Sequence, residues 1–244
     1  MIAAIWLNIK PYAKHCLSKH CTHLQGPSAV PSTVSWLVKA LTTTSHQYII
    51  RTDIKRYYAS IHRGILYRQL SQIFDDPRLL HYFKAIVNPC IDRRGICYRS
   101  ETGIPRRSSL SSFFAAVYLS DLDRHFEKKT GVFYLRYNDD IIILCKNKRH
   151  YLAAKRDLKR IINSLKLKLS PDKTRMGPIH DGFHFLGLVF NITGSKPISV
   201  WFDKIRNMIS FPSPFWQPGL SWAYQGFKKN RSSKQSCLLA RQGC

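Results

Sequence analysis

Val132-Phe-Tyr-Leu-Arg-Tyr-Asn-Asp-Asp-Ile-Ile-Ile-Leu-Cys145 sets two adjacent aspartates, Asp139 and Asp140, between two apolar runs. β-branched and aromatic residues on either side of a short polar triplet predict strand, turn, strand. Asx residues are ordinary turn formers, so turn chemistry alone explains Asn138-Asp139-Asp140. Two carboxylates side by side against a core nevertheless repel each other, and such a pair calls for a divalent cation or for basic neighbours. Arg136 is the basic neighbour nearest in sequence.

Working outward, Gln47 to Thr52 carries Tyr48, Ile49 and Ile50 in a row and predicts a buried strand that delivers Asp53 at its end. Residues 24 to 33, rich in Pro, Gly and Ser, predict a loop, with Ser32 or Thr33 capping a helix through Ala40. Residues 63 to 72 and 78 to 87 read as helices, and Asp92-Arg-Arg-Gly95 reads as a hairpin turn. From Ser108 to about Lys128 the recurrence of Phe114, Tyr118, Leu122 and Phe126 predicts one amphipathic helix. Leu158, Ile161, Ile162 and Leu165 predict another, which ends before Ser170-Pro171. Phe183 to Ile192 and Ile198 to Phe202, around Thr193-Gly194-Ser195, predict a second hairpin. Beyond Phe211 the prolines at 212, 214 and 218 and a basic tail without apolar period predict disorder. The whole reads as α+β, an antiparallel sheet backed by helices.

The 244 residues are enough for one sizeable domain, and 39 Lys and Arg against 14 Asp and Glu leave a net charge of +25. A polyanionic partner follows from that excess, because cations that displace counterions from phosphates supply most non-specific nucleic-acid affinity. Seven cysteines form no C-x-x-C pair, which suits a reducing cytoplasm and predicts a cytoplasmic protein. His15-Cys16, His20-Cys21 and His23 lack a second ligand pair at zinc-finger spacing and read as loop and partial core. The apolar start Met1 to Leu7 is too short to cross a membrane, and no membrane partner is expected.

The order of these segments carries more than any one of them. Asp53-Ile-Lys-Arg-Tyr-Tyr58, Gly103-Ile-Pro105, a long helix, Tyr137-Asn-Asp-Asp140, Lys173 and Phe185-Leu-Gly187 follow one another along residues 46 to 190. The series resembles the successive palm motifs of reverse transcriptases of the bacterial group II intron-like kind. Weaker similarity to the end of the fingers region reaches back to Cys21-Thr-His-Leu-Gln-Gly26.

This resemblance implies a right-hand polymerase palm with partial fingers and little or no thumb. Residues 1–45 would be the partial fingers, 46–202 the palm with its primer-grip hairpin, and 203–244 an irregular basic tail. It implies an RNA-directed DNA polymerase that adds dNTPs to a DNA or RNA primer on an RNA template, with two Mg²⁺ ions for which Mn²⁺ can substitute. Asp53 and Asp139 would hold the metals, Asp140 would support them, and the Ile54 carbonyl would bind the nucleotide metal. Lys173 would protonate pyrophosphate, and Tyr58 would exclude a 2′-hydroxyl. Gly103, Pro105 and Arg106 would contact template and nucleotide, and Phe185, Leu186 and Gly187 would grip the primer. Each residue also has a plain reading, as core aromatic, strand-end acid or solvated cation.

The sequence departs from the family at Arg107, where a glycine is usual and a long cation crowds the nucleotide. Asn138 stands where a small apolar residue is usual, the earlier fingers strands would lie before Met1, and the proline-broken tail does not read as the helical thumb expected after residue 200. A catalytically weak RNA-binding remnant, assisting intron or other structured RNA as maturases do, is the alternative function. A metal-dependent nuclease is a third, disfavoured by the Gly103-Ile-Pro105 loop and Phe185-Leu-Gly187.

Overall fold

The computed structural model describes residues 2–26, 28–88, 91–93, 96–98, 100–106, 108, 110–190, 192–193 and 196–197. Arg107, the segment 198–202 and the tail from 203 lie outside them.

The chain runs through α1 (Ile2–Cys16), α2 (Ala29–Thr43), β1 (Tyr48–Thr52), α3 (Tyr57–Ser60), α4 (Arg63–Ser71) and α5 (Pro77–Val87). A small antiparallel hairpin follows, β2 (Ile91–Arg93) with β3 (Ile96–Tyr98). Next come α6 (Ser111–Tyr118), α7 (Ser120–Glu127), β4 (Val132–Tyr137), β5 (Asp140–Cys145) and α8 (Lys148–Ser164). The described part closes with a 3-10 turn at Pro171–Lys173, β6 (Arg175–Pro178), β7 (Phe183–Phe185), β8 (Leu188–Phe190), β9 (Ile192–Thr193) and β10 (Lys196–Pro197).

The central sheet has the order β4-β5-β1-β6, antiparallel throughout. Its inner strands are covered on both faces, which is why Ile141 to Cys145 forms an uninterrupted apolar run with every residue buried. On one face Ile50, Ile141, Ile143 and Cys145 pack with Phe113, Phe114, Leu122, Phe126, Leu158 and Ile162 of the helices. On the other, Ile49, Leu135, Ile142 and Leu144 meet Leu37 of α2 and Phe183 and Phe185 of the β7–β8 hairpin. A side chain of this size contributes roughly 1.5–3 kcal/mol when fully buried, so the two clusters hold the sheet between two layers.

The antiparallel sheet with helices matches the expected fold class, with several local differences. The helix expected over 108–128 is two segments, because Leu119 leaves helical geometry while Leu119, Leu122 and Phe126 stay on the buried side. α2 begins at Ala29, earlier than expected, since Pro31 is tolerated in a first turn whose N–H groups have no partners in the helix. The strand expected over 183–192 folds back at Leu186-Gly187, whose φ values of 49° and 77° reverse the chain. No described helix is long and apolar enough to cross a membrane.

Candidate active site

β1 and β5 are neighbours, and the strand ends that carry the aspartates meet at one edge of the sheet. Beyond Thr52 the chain stays extended because residues 168–170 pair with it. Ser170 donates its N–H to the Asp53 carbonyl at 2.8 Å, and Lys55 donates to the Lys168 carbonyl at 2.9 Å. Asp53 is thereby fixed with 6% exposure. The next turn brings Lys173 back over it, its Nζ 3.1 Å from Asp53 Oδ2.

The β4–β5 turn is built from two residues, since Tyr137 pairs with Asp140. Asn138 takes φ 58°, a left-handed conformation that asparagine tolerates better than most residues. Its side chain connects two walls of the site. The Tyr58 hydroxyl donates to Asn138 Oδ1 at 3.0 Å, and Asn138 Nδ2 donates to Asp139 Oδ1 at 2.9 Å. Underneath, Arg136 Nη1 donates to the Asn138 carbonyl at 2.8 Å, while Arg136 Nε donates to Asp123 Oδ1 at 2.7 Å. Arg136 and Asp123 are both fully buried. Burial opposes the Arg136 charge, and Asp123 more than restores it.

Arg136 is therefore not the basic neighbour of the paired aspartates, as sequence proximity suggested. It points from β4 into the core, and Arg51 takes that place. Arg51 Nη2 lies 3.2 Å from Asp140 Oδ1, and its Nη1 donates to the Lys173 carbonyl at 2.8 Å. The signal for Arg51 was present: a lone cation in an apolar strand, two residues before Asp53 and so on the same side of β1.

The N-terminal segment completes the turn. Arg136 donates its N–H to the His20 carbonyl and accepts from Thr22 N–H, so residues 20–22 lie along β4. His23 Nδ1 accepts from the Asn138 N–H at 3.3 Å, and its Nε2 is 3.2 Å from the Ser112 carbonyl. Only the tautomer protonated at Nε2 satisfies both contacts. Burial, reinforced by Arg136, pushes the His23 imidazole down to about 4. Burial also pushes the Cys21 thiol up to about 12, and Cys21 Sγ receives a hydrogen bond from Arg136 at 3.1 Å.

A cavity of about 430 Å³ opens between these elements, lined by Asp53, Ile54, Tyr58, Arg106, Asp139 and Lys173. All six were singled out in the sequence. Arg56, Ser111 and Ser112, which were not, share the wall. Asp140, Gly103, Pro105 and the Phe185-Leu186-Gly187 turn do not line it. Gly103 instead lies against α3, where an added Cβ would meet the Ala59 carbonyl at 3.4 Å, and its φ of 86° needs glycine. The Pro105 carbonyl accepts from Ser111 Oγ at 2.5 Å and ties the loop to α6. Phe185 is buried in the second cluster, and Leu186-Gly187 forms the turn of the β7–β8 hairpin.

The electrostatics favour a cation. Burial raises the Asp139 carboxyl above its usual range and Asp53 adds to the rise, while its own backbone amide works against it. Asp140 is raised by burial, against Arg51 and with the repulsion of Asp53 and Asp139. The Lys173 ammonium is raised by its hydrogen bond to Asp53. No group of three or more metal-ligating side chains stands ready-made among the described residues. Asp53 and Asp139 nevertheless line one cavity, and such a carboxylate pair suits Mg²⁺, which binds through one or two carboxylates and keeps water and substrate phosphates as its other ligands.

Comparison with known proteins gives the family and the fold. The family model described as reverse transcriptase (RNA-dependent DNA polymerase) matches residues 4–190. Protein YkfC of Escherichia coli (strain K12) is 24% identical over 179 residues, covering 59% of this chain and 47% of that protein. Among solved structures, telomerase from Candida albicans in complex with a TWJ fragment of telomeric RNA superposes with a TM-score of 0.60 at 17% identity, over 73% of this chain and 34% of that one. Apo telomerase from Candida tropicalis gives 0.63 at 14% identity, over 78% and 39%. At such identities the structural likeness establishes the fold. The chain spans about half the length of the curated relative and less of the telomerase chains.

Proposed function

The chain belongs to the reverse transcriptase (RNA-dependent DNA polymerase) family, and from that premise we propose that it is the palm of a group II intron-like polymerase that adds dNTPs to a primer 3′ end on an RNA template. The observation that carries this reading is the convergence of Asp53, Asp139 and Lys173 on one cavity at the strand ends. Asp53 and Asp139, with the Ile54 carbonyl, would hold two Mg²⁺ ions, for which Mn²⁺ substitutes. When bound, such ions activate the primer hydroxyl and neutralise the triphosphate and leaving group.

The chain's own groups do the rest. Asp140, held by Arg51, adds negative charge behind the metal-facing oxygens. Lys173 keeps its proton because Asp53 stabilises the ammonium, and holds it at Nζ for the departing pyrophosphate. Tyr58 walls the sugar side of the cavity. Arg106 faces the nucleotide phosphates, while Gly103 and Pro105 shape the loop behind it. Phe185, Leu186 and Gly187 form the hairpin that grips the primer.

The partners are an RNA template, a primer and dNTPs, with intron or other structured RNA as the cognate nucleic acid. Primer extension with RNA template, DNA primer, dNTPs and Mg²⁺, run beside Asp139→Asn, tests the reading. Incorporation by the wild type and not by the variant supports it. One observation favours a second reading, a catalytically weak RNA-binding protein: Asp53 and Asp140 are already engaged by Lys173 and Arg51. Tight RNA binding with no extension by the wild type would select that reading.

A further inference from the structure

We propose that the outer face of α8 is a second nucleic-acid binding surface, one that grips a duplex phosphate backbone apart from the cavity. Lys148, Arg149, Lys155, Arg156, Lys159 and Arg160 are all exposed. At 100° per residue they share one side of the helix, and at 1.5 Å per residue they extend over about 18 Å, a length of duplex that carries roughly ten phosphates. The sole carboxylate of α8, Asp157, is buried and pairs with Lys129 and His125 of the neighbouring segment. Arg156 and Arg160 graze it at 3.7 and 4.0 Å. Arg149, Lys155 and Lys159 have no carboxylate within 4.0 Å among the described residues.

This arrangement works against the free helix. Lys148 and Arg149 put two cations in the first turn, where the helix dipole is already positive and no acid offsets it. Lys155 and Lys159, like Arg156 and Arg160, are like charges four residues apart. A helix selected for stability alone would alternate signs, and a bound polyanion relieves all of these repulsions at once. Leu152 is the one exposed large apolar residue of α8, too little for insertion into a lipid surface, so a phosphate backbone is the partner that fits.

The surface is separate from the cavity. α8 packs on the sheet face that carries Ile50, Ile141 and Ile143. None of the residues that line the cavity belongs to α8, whose packing partners are β5, β1 and α7. A nucleic acid on α8 is therefore a different segment from the one whose end enters the cavity. The inference does not depend on the polymerase reading, since phosphate binding needs no chemistry.

The test compares the full chain with Arg149→Gln/Lys155→Gln/Lys159→Gln and with a control of equal charge change on α4 and α5, Arg68→Gln/Arg78→Gln/Lys84→Gln. Affinity for an RNA duplex, and for a DNA duplex of the same sequence, is measured across a salt series, with urea denaturation alongside. The α8 variant is expected to lose about 2 to 3 from the log-log salt slope on the RNA duplex, close to 0.9 per lost phosphate contact, with a urea midpoint equal to or above that of wild type. The control is expected to change the slope by less than one. Loss on RNA with DNA unaffected identifies structured RNA as the ligand, and equal loss on both identifies any duplex. Equal losses in the two variants overturn the proposal in favour of diffuse charge. Unchanged duplex binding with lost binding to phosphatidylserine-containing vesicles overturns it in favour of a membrane.

Discussion

The imidazole of His23 bridges the β4–β5 turn and α6 only while neutral, so acid should loosen this junction by a calculable amount. Its titration lies near 4 in the folded chain against an ordinary 6.5. The unfolded chain therefore takes up the proton first, and stability present above pH 6.5 is lost as pH falls toward 4. Between pH 7.5 and pH 5 the linkage removes about 2 kcal/mol. That is an upper figure, because the ring keeps partial contact with solvent. With a urea m-value of roughly 2 kcal/mol/M, the midpoint falls by about 1 M. Other groups titrate over the same range, among them His20 and His46, which burial also pushes down. The informative quantity is thus the difference between wild type and His23→Gln, each measured at both pH values. Gln cannot take up a proton, so the variant should be less stable at pH 7.5 and lose about 2 kcal/mol less on acidification. Equal losses in the two proteins would refute the assignment of a buried neutral His23.

Three further outcomes follow from the site. Arg136→Met strands Asp123 as a buried charge and should cost about 3–5 kcal/mol in urea denaturation, most of it recovered in Arg136→Met/Asp123→Leu, where neither charge remains. Asn138→Ala and Tyr58→Phe each break the Tyr58–Asn138–Asp139 relay, so in steady-state dNTP incorporation the double variant should lose about 1 kcal/mol less than the sum of the singles, and strict additivity would mean that the relay does not couple them. Asp139→Asn should cut incorporation by roughly 10² to 10³ and leave RNA affinity and its salt slope, about −0.7 per phosphate on a single strand, as in wild type. A parallel fall in RNA binding would show that the substitution disturbs the fold.

How much was legible depended on whether the cause was local. The β4–β5 hairpin and the strand ending at Asp53 were readable because uninterrupted apolar runs around an acidic turn have few other structures to adopt. The six cavity residues followed from the order of their segments. The role of Arg136 was not readable, since its partner Asp123 sits thirteen positions earlier on a helix and only the packing of α7 on β4 joins them. His23 was seen in a Cys- and His-rich stretch, but its contact with Asn138 spans 115 positions. The break at Leu119 hid within a continuous apolar period, and the Leu186-Gly187 reversal hid within an alternating one. Arg107, the one departure expected to obstruct the nucleotide, lies outside the described residues.

The strip formed by residues 20–22 along β4 has a consequence for how the molecule comes into being. β4 is the outer strand at its end of the sheet, and its free edge would invite pairing with another chain. The strip that pairs with it at Arg136 is synthesised more than a hundred residues earlier and must wait for β4 to follow. At about 5–20 residues per second that interval is roughly 6 to 20 s during translation. Contacts of such sequence separation form more slowly than local ones, so we expect the aspartate turn to gain this backing after the β4–β5 hairpin has formed. A nascent chain stalled before Arg136 exposes that strip without its partner, a state in which chaperone dependence and misassembly should be greatest.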